Sequence, residues 1–115
     1  MNSDLENEVV QLHAEICAAL ADPSRILILY ELSNGTRNVT EISKNLKMSQ
    51  PMVSRHLKVL RERNMVNTER EGAVIWYSLG DTRLIEALDT LRAVLRDTLA
   101  KRAELAEAFP DRINR

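Results

Sequence analysis

The stretch Ser49-Gln50-Pro51-Met52-Val53-Ser54-Arg55-His56-Leu57-Lys58-Val59-Leu60 decides the fold of this 115-residue chain. Ser49 is a favourable residue for capping a helix, and a proline is tolerated in the first helical turn. Apolar residues then recur every three or four positions, which is the spacing of one side of a helix. We therefore predict a helix from about Gln50 to Arg63 with one buried and one basic side. The buried stripe consists of Val53, Leu57 and Leu60.

A second, shorter helix precedes this stretch. Thr40 can cap it, and Ile42 and Leu46 supply its apolar side. The segment Lys47-Met48-Ser49 is predicted to be the turn between the two helices. A short helix, a tight turn and a second helix with a basic outer side predict a helix-turn-helix unit over residues 39–63.

After Asn64 the spacing of apolar residues changes from helical to alternating. We predict one strand over Met65–Glu69 and a second over Ala73–Leu79, which is rich in Val, Ile, Trp and Tyr. The turn Arg70-Glu71-Gly72 joins them, with Gly72 free to adopt a positive φ. A hairpin directly after a recognition helix is the wing of a winged helix, here residues 64–80.

Two further helices are predicted before the helix-turn-helix unit. The first spans residues 5–20, and the second contains the apolar run Ile26–Leu32 between Pro23 and Asn34-Gly35. A buried parallel strand is the alternative for this run, but the helix-like length between Pro23 and the Asn-Gly stop favours a helix.

Both ends of the chain have an apolar helical stripe. The last helix, from about Asp81 or Thr82, has a heptad-like seam. We expect the terminal helices, residues 1–20 and 81–108, to form a homodimer; packing within one domain is the alternative. The stripe residues are Leu5, Val9, Leu12 and Ile16 in the first helix and Leu84, Leu88, Leu91 and Leu95 in the last.

These segments give a mainly α fold with a small β-hairpin wing. Four helices, two strands and a fifth helix form a single winged helix-turn-helix domain over residues 1–115.

No apolar run approaches the roughly 20 residues needed to span a bilayer, and the acidic start of the chain lacks the basic region of a signal peptide. We expect a cytoplasmic protein with no membrane partner. The single cysteine, Cys17, excludes an internal disulfide and a cysteine-rich zinc site within one subunit.

Charge is distributed unevenly along the chain, although the formal net charge is only −1. Residues 1–22 contain five carboxylates and no Lys or Arg, whereas residues 44–63 contain six basic residues and one acidic residue. Such an arrangement can direct one surface towards phosphate. Chance clustering on a solvated helix is the alternative.

The predicted recognition helix has the side chains that reading DNA requires. Gln50 can bind adenine bidentately and Arg55 can bind guanine, while Ser54 is small enough to permit close approach. Lys58 and Arg61 lie further along the helix, where phosphate contact is expected.

Other candidate DNA contacts flank this face. Thr40 and Ser49 stand at helix N-termini, which suit phosphate. Arg70 and Gly72 lie in the wing, where neighbouring Glu69 and Glu71 would weaken phosphate binding. His56 has two interpretations, a partly packed ring bonded to the backbone or a phosphate contact.

The segment from Ala21-Asp22-Pro23-Ser24-Arg25-Ile26-Leu27 through Ser49 to Leu60 resembles the ArsR/SmtB family of bacterial winged-helix repressors. The resemblance continues through Met65-Val66, Arg70-Glu71-Gly72 and Tyr77-Ser78-Leu79, and covers roughly residues 10–100. It implies a homodimer whose recognition helices read an inverted repeat and whose repression is relieved by an effector. It also implies that the DNA face contains Ser49, Gln50, Ser54, Arg55, His56 and Lys58. Pro51 and Arg55 depart from many members, so the preferred DNA sequence is expected to differ.

The sensing residues typical of that family are not carried over. The stretch Arg37–Ile42 lacks the Cys-x-Cys pair of arsenic and cadmium sensors, and one cysteine is too few for a persulfide sensor. The last helix has Asp81, Asp89 and Asp97, but no histidine follows His56. Carboxylates alone select zinc poorly, so we predict no metal site and no cofactor.

His13 and Cys17 are the remaining candidates for a sensor, because side chains four apart on a helix can be neighbours. A cysteine packed in the dimer interface beside a solvent-facing histidine is the simplest interpretation. A thiol switch and a soft-metal or haem ligand pair are the alternatives.

The sequence thus predicts a regulator of transcription that binds double-stranded DNA, and no enzyme, since it has no phosphate loop or nucleophile motif. We expect a repressor released by an unidentified effector. The alternatives are a ligand-independent or Cys17-dependent regulator and a winged helix that binds protein.

Overall fold

A computed structural model describes residues 2–109 of the protein. Among these, residues 2–82 form one compact unit and residues 83–109 form another. The first unit contains α1 (Ser3–Leu12), a π-helical turn (His13–Cys17), α2 (Ala18–Leu20), α3 (Pro23–Ser33), α4 (Val39–Leu46), α5 (Gln50–Glu62), β1 (Val66–Glu71) and β2 (Val74–Leu79). The second contains α6 (Arg83–Ala108).

The N-terminal helix predicted over residues 5–20 is present but irregular. Its backbone stays helical from Ser3 to Leu20, yet the turn His13–Cys17 has π-helical hydrogen bonding, in which the Ala18 N–H donates to the His13 carbonyl. A π turn inserts one residue into a helix and shifts the apolar stripe around the axis. Periodicity alone did not predict this turn.

The apolar run after Pro23 is a helix, so the alternative of a buried strand is wrong. Asp22 caps α3, because its side chain accepts a hydrogen bond of 2.8 Å from the Ser24 N–H. Ile28 and Leu29 are fully buried, and Leu32 is nearly so. Together with Ile42 of α4 and the α5 stripe, they form the centre of the core.

The helix-turn-helix begins differently from the prediction. Asn38, and not Thr40, caps α4: its side chain accepts from the Glu41 N–H at 2.9 Å, and the Glu41 carboxylate accepts from the Asn38 N–H at 3.1 Å. This reciprocal pair satisfies two backbone donors at once, which a threonine two residues later cannot do. The helix therefore starts earlier, and Thr40 is its second residue.

A left-handed residue closes α4. Lys47 has φ +56°, and the Met48 N–H donates to the Ser43 carbonyl at 3.1 Å while the Ser43 hydroxyl donates back to the Met48 carbonyl. The chain then passes directly to Ser49, whose hydroxyl accepts from the Met52 N–H at 3.3 Å. Ser49 thus caps α5 as predicted.

The wing is an antiparallel hairpin, as predicted, but its turn is displaced. Strands β1 and β2 pair from Val66 with Leu79 to Glu71 with Val74, so the turn consists of Gly72 and Ala73. Gly72 has φ +63°, and a two-residue turn with positive φ extends the ladder further than the three-residue turn predicted. Arg70 consequently lies within β1, opposite Ile75.

The backbone after the wing passes very close to the start of the wing. The Gly80 N–H donates to the Met65 carbonyl at 2.9 Å. A Cβ at Gly80 would lie 2.6 Å from the Asn64 carbonyl oxygen and 3.0 Å from the Met65 carbonyl carbon. The two ends of the hairpin can meet only because residue 80 has no side chain.

Gly80→Ala should therefore destabilise the protein by about 1–3 kcal/mol, the usual cost of forcing extra atoms into a packed site. The free energy of unfolding in urea, measured at one fixed protein concentration, checks this. Gly72→Asn is the control, because no atom lies within 4 Å of a Cβ there and asparagine tolerates positive φ. Equal stability of the two variants would contradict the close approach.

Leu57→Ala should cost about 2–5 kcal/mol, because this α5 side chain is fully buried. Lys58→Ala, at the next and exposed position, should change the free energy of unfolding by no more than about 0.5 kcal/mol. Urea unfolding of both variants tests the prediction. A small effect of Leu57→Ala would show that α5 is not anchored by this stripe.

Candidate DNA-binding surface

The predicted reading face of α5 is exposed. Val53, Leu57 and Leu60 have no exposed surface, so the opposite side of the helix must face solvent. The predicted DNA-contacting residues that are exposed on α5 or at its cap are Ser49, Gln50, Ser54, Arg55, Lys58 and Arg61. Three of them are basic, and they project from the side of the helix that the core does not cover.

A cleft of about 360 Å³ lies beside this face, between α5, the start of α4 and the wing. It brings the predicted contacts Thr40 and Ser54 together, which their positions in the sequence did not indicate. Val74 and Tyr77 of β2 form the wall on the wing side. The hydroxyl side chains of Thr40 and Ser54 contribute small polar groups to its lining.

The wing is tied to the segment before α4 by two backbone hydrogen bonds. The Arg37 N–H donates to the Tyr77 carbonyl at 3.0 Å, and the Tyr77 N–H donates to the Arg37 carbonyl at 2.8 Å. Arg70 and Gly72 are exposed, with Gly72 at the tip and Arg70 two residues before it. The predicted wing contacts thus lie on the hairpin, but Arg70 does not belong to its turn.

His56 is half-buried, and Arg25 of α3 faces it. The Arg25 Nη1 atom lies 3.4 Å from the His56 Nδ1 atom. The ring therefore packs towards α3, in line with the first of its two interpretations, although its partner is a side chain and not the backbone. Sequence reasoning missed Arg25. A basic residue in the first turn of a helix is electrostatically unfavourable, and this signal could have indicated a specific partner.

Asp22 lies close to Arg25 and His56. The hydrogen bond from the Ser24 N–H is the main reason that the pKa of Asp22 lies below its ordinary value of 3.8, and the charges of His56 and Arg25 act in the same direction. The Arg25 Nη1 atom is 3.7 Å from the Asp22 carboxylate. An anionic cap thus remains beside Arg25 throughout the neutral pH range.

His13 and Cys17 are both exposed, at the two ends of the π-helical turn. Across residues 2–109, no group of three or more His, Cys, Asp or Glu side chains is arranged to hold a metal ion. The three interpretations of this pair stay predictions.

The predicted dimer residues differ in exposure. In α1, Leu5, Val9 and Leu12 are each about half exposed, and Ile16 in the π turn is half-buried. In α6, Leu91 and Leu95 are more than half exposed, whereas Leu84 is half-buried and Leu88 is only 5% exposed. Each unit therefore has an apolar strip on its surface. No helix among the described residues is long and apolar enough to cross a membrane.

A helix-turn-helix followed by a two-stranded wing defines a winged helix-turn-helix protein. The family model described as "Bacterial regulatory protein, arsR family" matches residues 22–68, which run from the cap of α3 into the wing. The transcriptional regulator NmtR of Mycobacterium tuberculosis is 39% identical over 88 residues, which cover 76% of this chain and 73% of NmtR.

Solved structures with the same fold include proteins of this class. The crystal structure of Mycobacterium tuberculosis Rv0081 has a TM-score of 0.73 at 32% identity, covering 83% of this chain and 96% of that one. The homodimeric winged helix-turn-helix DNA-binding domain Mb0332 of Mycobacterium bovis has a TM-score of 0.72 at 26% identity, covering 85% and 91%. The chain belongs to the arsR family of bacterial regulatory proteins. This is a family of DNA-binding regulators of transcription and not of enzymes, which confirms the function class predicted from the sequence.

Two substitutions at Ser49 should separate its structural role from a role towards DNA. Ser49→Ala removes the α5 cap and should lower the free energy of unfolding by about 1 kcal/mol. Ser49→Asp keeps a capping oxygen and adds a charge that helix N-termini favour, so stability should match the unsubstituted protein. The same charge should repel DNA phosphate.

Urea unfolding and DNA-binding anisotropy, measured on both variants, check this. We expect Ser49→Asp to be as stable as the unsubstituted protein but much weaker in DNA binding. Ser49→Ala should be less stable and should lose less DNA binding, because it removes one hydroxyl and adds no charge. Unimpaired DNA binding by Ser49→Asp would place Ser49 outside the DNA interface.

Proposed function

We propose that this protein is a repressor that binds an inverted-repeat operator as a homodimer and leaves it when an unidentified effector binds. The observation that carries the proposal is the two-sided character of α5. Its apolar stripe is completely buried, and its other side exposes an amide, a small hydroxyl and three basic groups. The major groove of B-DNA admits a helix of this kind and presents base edges that such groups recognise.

The residues of α5 divide into two roles by position. Gln50 and Arg55 lie in the first half of the helix and read base edges, while Ser54 permits close approach. Lys58 and Arg61 lie further along and contact phosphates, which fixes the register on the duplex. Thr40 and Ser49 bind the backbone at helix starts, and the wing contributes Arg70 near its tip.

The homodimer is supported by the apolar strips of both units and by the relative Mb0332, whose solved form is homodimeric. Side chains such as Leu91, at 61% exposed, and Leu95, at 54%, would otherwise remain in water. A twofold-symmetric dimer presents two copies of α5, which suits two half-sites about one helical turn apart. The terminal helices, residues 1–20 and 81–108, supply the interface in this proposal.

The uneven charge distribution along the chain supports the proposed orientation of the protein on DNA, with α5 towards the duplex. The acidic segment 1–22 would be repelled by DNA, whereas the basic segment 44–63 contains α5. Phosphate attraction therefore turns α5 towards the duplex before base contacts form. Because its partner is operator DNA, we place the protein in the cytoplasm.

Fluorescence anisotropy tests the proposal. Duplexes are first selected from a random library with the protein under chelator and reductant, and the enriched duplex is compared with a scrambled one. We expect preferential binding to the enriched duplex that weakens steeply as salt is added, because bound phosphates release counterions. Binding that is equal on both duplexes, or insensitive to salt, would refute the DNA-reading role and favour a protein partner.

Substitutions on α5 separate base reading from phosphate binding. Gln50→Ala or Arg55→Ala should weaken binding to the enriched duplex by roughly 5- to 150-fold, the equivalent of one bidentate base contact. Binding to the scrambled duplex should change little. Lys58→Gln should weaken both complexes similarly and reduce the slope of log K against log salt by about 1, because one phosphate is no longer neutralised. The same profile for all three variants would contradict the division of roles.

A further inference from the structure

Two arginines connect α5 to the helical segment at the start of the chain. Arg25 is the first. Its Nε atom donates to the Ala19 carbonyl at 2.6 Å and its Nη2 atom to the Ala18 carbonyl at 3.3 Å, so it covers the carbonyl end of α2. The same guanidinium reaches His56 of α5 through Nη1. With only 16% of its side chain exposed, Arg25 is positioned as an internal bridge between the two helices.

Arg63, the residue that follows α5, is the second. Its Nη1 atom donates to the Ala14 carbonyl at 2.8 Å and lies 2.9 Å from the Glu15 carboxylate. Both acceptors belong to the π-helical turn. The middle of α5 is thus joined to the end of α2, and the C-terminal end of α5 is joined to the π turn.

These contacts account for the charge of Arg63 without DNA. Its guanidinium is already paired with a carboxylate, and a phosphate would have to compete with that partner. Arg61, two residues earlier, is exposed and is suited to phosphate. Two arginines near the end of the same helix therefore have different surroundings.

We propose that Arg25 and Arg63 are positioning residues that fix the angle between α5 and the N-terminal helical segment, and thereby set the distance between the two reading helices of the dimer. The inference rests on the proposed function, because it assumes a DNA-reading dimer with α1 at the interface. In such a dimer, the path from the interface to α5 within one protomer crosses these two bridges. A small rotation of α5 in both protomers changes the half-site spacing that the dimer fits.

The arginine fork is essential to this role. The Arg25 guanidinium donates from Nε and Nη2 to two carbonyl oxygens, and the planar Nη1 group of Arg63 donates to two acceptors. Donors held in a fixed plane restrain rotation as well as distance. Lysine keeps the charge but has a rotatable ammonium on a flexible stem, and so cannot restrain the angle in the same way. A lysine variant consequently separates positioning from simple attraction to phosphate.

The test measures the distance between the two half-sites of the preferred operator. Duplexes are selected from a random library with the unsubstituted protein, Arg63→Lys, Arg25→Lys and Glu15→Gln, and the distance between half-sites is read from the enriched sequences. The unsubstituted protein should enrich one spacing. Both lysine variants should enrich the same half-site over several spacings and lose at least tenfold in affinity for the best full operator, with less than twofold change on a single half-site. Glu15→Gln should broaden the spacing to a smaller extent, because the Ala14 carbonyl bond remains.

Arg61→Gln is the matched control. It should weaken binding at every spacing and reduce the salt slope, yet leave the preferred spacing unchanged. If Arg63→Lys keeps the single spacing of the unsubstituted protein, Arg63 is not a positioning residue and the inference is overturned. If either lysine variant fails to fold, as judged by circular dichroism, Glu15→Gln becomes the deciding test. The Glu15 side chain is 56% exposed, so this substitution should not impair folding. An unchanged half-site spacing for Glu15→Gln would then overturn the inference. Failure of the unsubstituted protein to enrich any sequence would instead refute the proposed function.

Discussion

The structure depends on the burial of three side chains on one side of α5. Val53, Leu57 and Leu60 lie in a core to which α3, α4 and the start of the wing also contribute, and none of the three is accessible to water. Because the two sides of a helix are rigidly related, fixing the buried side also fixes the positions of Gln50 and Arg55. In the function proposed above, α5 is therefore already ordered before it binds DNA, because the conformational entropy of this segment is lost on folding.

Local hydrogen bonds decide where this helix begins. The left-handed Lys47 ends α4, and Ser49 caps α5 only two residues later. With 3.6 residues in a turn, an error of one residue in the start would rotate the helix by about 100°. The short turn thus defines which α5 side chains are exposed, and the core selects the same register through the apolar stripe. Agreement between these two levels makes the helix-turn-helix a robust unit.

The family match supports the same division within the chain. It covers residues 22–68, the part that contains the helix-turn-helix, and ends within β1. The N-terminal and C-terminal helices lie outside that match, and they contain the half-exposed leucines and the exposed His13 and Cys17. In the function proposed above, DNA recognition and assembly belong to different segments, which must be mechanically connected if one is to influence the other. Arg25 and Arg63 provide such connections between the first helical segment and α5.

The sequence alone determined the helix-turn-helix, the hairpin, the α5 stripe and the Ser49 cap, because apolar spacing and capping act within a few residues of the chain. It placed the α4 cap at Thr40 and the wing turn at Arg70–Gly72, where two local solutions compete and hydrogen bonding selects the other one. The tertiary structure decided the π turn, the close approach at Gly80, and the bridges made by Arg25 and Arg63. The residues joined by these bridges are up to 49 positions apart, and their contacts follow only from how complete elements pack.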